Sequence, residues 1–501
     1  MKRILLIITA LFAVEAYAQD QLITVVNSTG NPKNYFGFLE GTDDFQCMIF
    51  HDALISDLLK LSHDVIVTYS KTNREGKSYS IERNSDFKFL TAYEGRNNLY
   101  MLYRRYNSYQ RKFEIHLNTI PKDMSKVKWN PKELISFDRE VNENIQFSTA
   151  VSPDKSKAAL LLFLTNSAGF FEKDKTDKLK GAAMLIFEED KLVMSRPFDF
   201  EIENNVINFL HLSVNNDGEA YVALSSYIKN DKDGQLSNET FHLYAINQES
   251  IDFFDNTVDF GHISNGTLHI CNNGSLAFGG YYSPAQGEGD EGYYLMLFTP
   301  SLNLTSISYE RFPEDFFSYK HPKASKTIQP YKADLKEILE FDNGTLTMLG
   351  EIYTTQYSLA STFYLSGNTL VTFADKSGRF TDFKMLPKHQ YTSLPPTSSQ
   401  LFSYHVLMHN NTIHLFYTDL IANLNTNTHQ PLVITNIVPD KKCAVHCTIN
   451  SEGNITPQEM LINYPDFKCV MLVPLSMDDD GLWFFHTKGL SGAVSKLPHK
   501  F

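Results

Sequence analysis

The stretch Phe209-Leu210-His211-Leu212-Ser213-Val214 is an apolar run, Asn215-Asn216-Asp217-Gly218 a turn, and Ala220-Tyr221-Val222-Ala223-Leu224 a second apolar run. Asn, Asp and Gly tolerate positive φ, so four such residues between two β-prone runs predict a tight hairpin. The same unit recurs along the chain. It reads Phe89–Tyr93 and Leu99–Leu102 around Gly95-Arg96-Asn97-Asn98, then Phe147–Val151 and Ala158–Leu162 around Pro153-Asp154-Lys155-Ser156. It returns at Asn272-Asn273-Gly274, Asp342-Asn343-Gly344, Asn410-Asn411 and Asp478-Asp479-Asp480-Gly481, each turn between runs rich in Leu, Val, Ile and Phe.

Anchors at 97, 156, 218, 274, 344, 411 and 481 are spaced by 59, 62, 56, 70, 67 and 70 residues. Two further strand candidates usually fall between anchors, such as Phe241–Ile246 and Tyr293–Phe298. A repeat of four strands with a hairpin is the arithmetic of a β-propeller blade, here with extended loops. A single hairpin cannot bury both its faces, and stacking such units does. The expected fold is therefore all-β, one propeller over residues 19–501. Seven four-stranded blades fit the anchors best; eight would follow if Asn34 marks a weak anchor, and six if one insertion-rich unit is irregular. Only a strand or two follows the last anchor. The N-terminal runs Leu22–Val26, Tyr35–Leu39 and Val65–Tyr69 are accordingly expected to complete the last blade. Two tandem β-sandwiches are the rival architecture. Asp52–Leu61 reads as a short helix capped by Asp52, or equally as strand plus turn.

In period and turn pattern, residues 21–501 resemble the secreted β-propeller proteins of bacteria with degenerate blades. There is no WD dipeptide series, no kelch double-glycine series and no Ser-x-Asp-x-Gly-x-x-Trp series, and the only tryptophans are Trp129 and Trp483. So general a resemblance implies a fold and no activity.

Residues 1–18 read as a signal peptide rather than fold. Lys2 and Arg3 precede the apolar run Ile4–Val14, and Ala16-Tyr17-Ala18 is a small-x-small cleavage site leaving Gln19 first. With no later run both apolar and long enough to span a bilayer, the expectation is export to the periplasm or cell exterior, with no membrane span. Without the leader, 43 basic residues stand against 57 acidic ones. That balance excludes a phosphate-binding surface, and with it nucleic acid as a partner. The densest lysine run, Glu172–Lys178, alternates in sign and reads as a solvated loop.

Local chemistry is sparse. The cysteines are Cys47, Cys271, Cys443, Cys447 and Cys469, an odd number, so at least one is unpaired. Cys443 and Cys447 on one strand would be ~13 Å apart, beyond disulfide reach. Cys447 with Cys469 on adjacent strands is the more plausible pair, and separate buried thiols are the default. In Cys443-Ala444-Val445-His446-Cys447 a strand would turn His446 away from both thiols, and the spacing is not that of zinc knuckles. Neither Asn230–Gly234 nor Asp478–Gly481 has the spacing of a calcium loop, and both read as hairpin turns. Gly287–Gly292 reads as a flexible loop whose acids would repel phosphate. No nucleophile elbow, zinc-protease helix or phosphate loop is present. The sequence thus assigns no catalytic residue, no metal ligand and no cofactor. His211, His269, His405 and His414 lie in expected strands beside the anchor turns, where several would ring the axis and bind metal or else serve as satisfied interior or rim histidines. The sequons at Asn265, Asn273, Asn343 and Asn410 are explained by turn chemistry.

Phe312–Lys336, with three prolines, and Pro387–Gln400 interrupt the rhythm, and propellers place binding surfaces on such long connections. A repeat fold without a catalytic signature points to a non-enzymatic scaffold binding a protein or a glycan. The alternative is a carbohydrate-active hydrolase or lyase whose carboxylates or histidines meet at the axis from several blades, a spacing that sequence cannot display.

Overall fold

The computed structural model describes residues 35–40, 45–52, 61–70, 75–84, 86–138, 143–166, 178–200, 202, 206–228, 239–285, 288–313, 332–357, 362–388, 390–392, 403–424, 442–463, 471–478, 481–488 and 491–497. They form eight antiparallel sheets, each a meander in chain order. The first strands are Tyr35–Glu40, Phe87–Glu94, Glu143–Val151, Val206–Val214, His262–Ile270, Lys332–Glu340, Tyr404–His409 and Met471–Asp478. Six sheets have four strands, sheet 6 adds a fifth (Gln390–Thr392), and sheet 8 has three described strands.

First strands of consecutive sheets run beside one another from sheet 1 to sheet 6, and again from sheet 7 to sheet 8. Each pair of neighbouring sheets encloses its own apolar layer. Ile66 and Ile81 meet Phe87 and Met101 between sheets 1 and 2, and Phe416 and Ala444 meet Leu482 and Phe484 between sheets 7 and 8. Radially stacked four-stranded sheets with their first strands inside make a β-propeller.

Strand periodicity explains the stacking. Ala220–Tyr227 is buried throughout, yet it alternates: Ala220, Val222 and Leu224 face sheet 3, whereas Tyr221 and Ala223 face sheet 5. A strand covered on both faces reads as a continuous apolar run. The fourth strand, Ile251–Thr257, is largely open to solvent and correspondingly polar.

Six of the seven turn anchors fall between the first and second strands of a sheet, and the seventh, Gly481, opens the second strand of sheet 8. The sheet they leave out is sheet 1, whose first two strands flank Gly41-Thr42-Asp43-Asp44. Eight is thus the count among those the anchors allowed, one more than the best-fitting seven, and Asn34, the weak anchor tied to it, lies outside the described residues. Tyr35–Leu39 and Val65–Tyr69 pair inside their own sheet, Val65–Tyr69 with a strand on either side, so of the runs expected to complete the last blade these two are engaged in sheet 1. Leu22–Val26 lies outside the described residues. Asp52 ends a strand, and the rest of the expected helix, up to Leu61, which opens the next strand, is likewise not described.

Neighbouring turns are stitched together at this end of the sheets. Glu94 N–H donates to Lys155 O (2.9 Å), Asp154 N–H to Asn216 Oδ1 (3.1 Å), and Asp342 N–H to Asn411 Oδ1 (2.9 Å). Within turns, Asn273 Oδ1 and Asn343 Oδ1 accept from Ser275 N–H and Thr345 N–H. Gly274 and Gly344 at φ +80° and +81° complete them, a conformation that a side chain disfavours.

Candidate functional site

The long connections open at the opposite end, where first strands begin. Residues 312–331 lead into sheet 6, 387–403 lead from it to sheet 7, and 421–441 join the second and third strands of sheet 7. The first of these is shorter than the interrupted segment suggested, because Lys332–Lys336 already belongs to the first strand of sheet 6.

That strand carries Asp334-Leu335-Lys336-Glu337. Ala333, Leu335 and Ile338 all face sheet 5, which a strict two-residue period forbids. The register shift between Leu335 and Glu337 resolves this, with Lys336 as the extra residue of a bulge. Equivalent shifts occur in the first strands of sheets 1, 2, 4, 5 and 8. In sheet 6 the shift allows consecutive charged residues on a strand that still buries its apolar face.

Lys336 meets Glu351 of the second strand (Nζ–Oε1 3.2 Å) and Asp334 (3.3 Å). On its other oxygen Glu351 takes Lys388 (2.7 Å) and the Ser366 hydroxyl (2.5 Å). Lys388 also donates to Ser366 Oγ at 2.5 Å. Lys388 and Glu351 side chains are 0% and 2% exposed, but Lys336 and Asp334 are 32% and 49% exposed, so the charges run from interior to solvent. Burial works against the Glu351 carboxylate, yet Lys388 and Lys336 outweigh it and hold the group at about 2. Glu337 has less help. Burial pushes it up to about 7, and only Lys336 pulls it back.

Neutral groups close the cluster from either side. Tyr281 of sheet 5 lies with its hydroxyl over Gly350, where a Cβ would come within 2.2 Å of it and 2.9 Å of Asp334 O. Tyr404 of sheet 7 presents its ring 5.8 Å from Lys388 Nζ. Burial and the surrounding carboxylates push both hydroxyls well above the usual phenol range. Burial, with Lys388 nearby, lowers His405 to about 4, so its ring is neutral near pH 7. Among the described residues Tyr281 Oη, Tyr404 Oη and His405 Nε2 are buried without a hydrogen-bond partner. Orphaned buried polar atoms are uncommon in folded proteins, and three of them converge here. The arrangement offers neutral donors and acceptors beside one accessible ammonium and one carboxyl that titrates near neutrality.

The histidines singled out in sequence do not form one ring. His405 starts its strand at the loop end, whereas His269 nearly ends its strand at the turn end. His211, on the first strand of sheet 4, is lowered to about 4 by burial. His414 Nδ1 lies 3.1 Å from His446 Nε2, and His446 Nδ1 lies 2.8 Å from Glu459 Oε1, a satisfied interior chain. Cys443 and Cys447 face sheet 6 together as buried free thiols, as is Cys271 elsewhere, and Cys469 lies outside the described residues. The glycine-rich loop expected to be flexible is anchored: Asp290 is 2% exposed and accepts Ala333 N–H from the next sheet at 2.5 Å. Asn265 likewise donates to Ala333 O (2.5 Å), so this sequon asparagine is spent between sheets. Asn230–Gly234 is not described. An open groove of about 500 Å³ lies at the turn end between sheets 3 and 4, and two of its acids are engaged, Glu188 by Lys157 and Glu219 by Asn247.

Sequence reasoning missed Lys336, Glu337, Glu351, Lys388, Tyr281 and Tyr404 because they come from three sheets. The one local signal was Asp334-Leu335-Lys336-Glu337, charges inside an apolar period.

No protein-family model and no curated protein matches the chain. Among solved structures it is similar to the β-propeller domain of the Trilobed protease from Pyrococcus furiosus (9% identity, 86% of this chain and 96% of that one, TM-score 0.35). It is similar at the same TM-score to the WD40 domain of SCAP from fission yeast (8% identity, 95% and 97%). The polysaccharide lyase Uly1 is a third (10% identity, 81% and 89%, TM-score 0.35). Likeness this distant says nothing of activity, and the propeller is defined by the eight stacked sheets themselves.

Proposed function

We propose that the protein is a non-enzymatic binding propeller, exported with cleavage after Ala18, that takes a protein or glycan at the loop end of sheets 5 to 7. The observation behind this reading is the coincidence of three long connections with a polar cluster holding three orphaned buried atoms. Lys336, the part-exposed ammonium of the cluster, matches a ligand bearing negative charge, which favours an acidic glycan. Calorimetry of the full chain against neutral and uronate polysaccharides, paired with sizing of the polymer, tests it. Saturable binding, an intact polymer and at least tenfold weaker binding by Lys336→Ala are expected. Binding unaffected by Lys336→Ala removes the site from the reading.

A second reading, a carbohydrate-active hydrolase or lyase, is favoured by Glu337, whose titration near 7 suits proton transfer. It requires that the polymer is shortened and that Glu337→Gln abolishes turnover while binding persists.

A further inference from the structure

We propose that His269, Cys271 and Glu340 form a site for a zinc-type divalent ion at the turn end of sheets 5 and 6. It is independent of the loop-end cluster, and its residues come from the first strand of each sheet and the turn that follows in sheet 5.

His269 and Cys271 are two apart along an extended segment and so share a side of it. Cys271 is held by its turn, its N–H donating to Ser275 O and its carbonyl accepting from Gly274 N–H, each at 2.8 Å. Glu340 reaches across from the neighbouring strand, where its Oε2 accepts Asn272 N–H at 2.6 Å. The imidazole nitrogen, thiol sulfur and carboxylate oxygen all lie within 4.8 Å of one another.

The spacing is informative. His269 Nε2 is 3.9 Å from Glu340 Oε2, too far for a hydrogen bond. Two donors sharing a tetrahedral zinc ion stand ~3.3 Å apart, given bonds of ~2.0–2.1 Å. A few tenths of an ångström of side-chain movement supplies the rest. In the other close group, Glu114, His116 and Glu133, two of the candidate ligands already bond each other, Glu114 to His116 at 2.9 Å, whereas Glu340 bonds a backbone N–H and no other ligand of its site.

The donor set selects the ion. Thiolate, imidazole and carboxylate together suit zinc or its borderline neighbours and not calcium or magnesium, which require oxygen. A neutral imidazole offers its lone pair directly, whereas a cysteine thiol gives up its proton to ligate. Binding forms the metal–sulfur bond and releases that proton to solvent. The His269 side chain is 26% exposed and gives the ion a way in. Three protein ligands leave a fourth position for water or another donor.

Cobalt(II), a coloured substitute for zinc, provides the test on the reduced, metal-stripped full chain. One equivalent should produce a thiolate-to-cobalt charge-transfer band that added zinc removes. Cys271→Ser should lack the band. His269→Ala and Glu340→Gln should each weaken cobalt binding at least tenfold. Either absence of the band at saturating cobalt in the unmodified protein or its persistence in Cys271→Ser overturns the site, the latter by assigning it to another thiol such as Cys443 or Cys447. Should Cys271→Ser not fold, unchanged affinity in both His269→Ala and Glu340→Gln is equally decisive against it.

Discussion

The two ends of the sheets are built on different principles. At the turn end, short turns of Asn, Asp and Gly repeat with similar local hydrogen bonds, and several borrow an acceptor from a neighbour, as Asp154 does from Asn216 and Asp342 from Asn411. At the loop end the connections differ in length from sheet to sheet, and sheet 6 buries a Lys388–Glu351 pair. Stability at one end is spread over many weak, interchangeable contacts. At the other it is concentrated in a few charges whose loss nothing nearby can replace.

The sharpest way to break this contrast is to remove a single ammonium. Lys388→Ala leaves Glu351 buried with Lys336 as its remaining cation, and should cost about 3–5 kcal/mol in denaturant unfolding. Adding Glu351→Leu should return most of that loss, since a buried pair can be exchanged for apolar packing at little cost. The pair also predicts a pH dependence. Glu351 is held below its ordinary value of 4.5, so its contribution is complete above that pH and fades as the pH falls toward about 2. Lys388→Ala should flatten the melting-temperature profile across this interval.

A smaller loss is expected at Gly350. A methyl group there meets Tyr281 Oη at 2.2 Å, so Gly350→Ala should cost about 1–3 kcal/mol through overpacking. Tyr281→Phe in the same chain should recover part of it by removing the oxygen. No recovery would place the strain on the Asp334 carbonyl instead. Least of all, Asn216→Ala should cost about 1 kcal/mol or less, the worth of one exposed hydrogen bond. If Asn216→Ala rivals Lys388→Ala in chemical denaturation, the two ends do not differ as described.

The same contrast governs how much could be read in advance. Turn chemistry is local, so seven of the eight hairpins announced themselves, from Asn97 to Gly481. The eighth repeat, with Gly41-Thr42-Asp43-Asp44 between its first two strands, falls in what precedes the first anchor, although its Gly and Asp are turn residues of the same kind. Alternation also told truly of Ala220–Leu224, where a continuous apolar run meant burial on both faces. The loop-end cluster was invisible because Tyr281, Glu351 and Tyr404 belong to separate sheets, and no periodicity links residues that meet only through stacking. The bulge at Lys336 hid even the local part by shifting the parity on which strand reading depends. Cys271 and Glu340 were likewise unconnected in sequence, although His269-Ile270-Cys271 before a turn was a cue to two donors on one side.

The meander order of every sheet has a kinetic side. Within each sheet the described strands pair in chain order, except that Gln390–Thr392 pairs back onto Thr362–Ala374, and no described sheet borrows a strand from another. Entropic costs of loop closure are therefore paid over short lengths, even in a chain of 501 residues. For an all-β protein this is low contact order, the condition for rapid search. Sheets can zip independently and then dock through the apolar layer each shares with the next. Refolding should accordingly show an early phase of strand formation and a slower one in which Tyr281, Glu351 and Tyr404 are brought together.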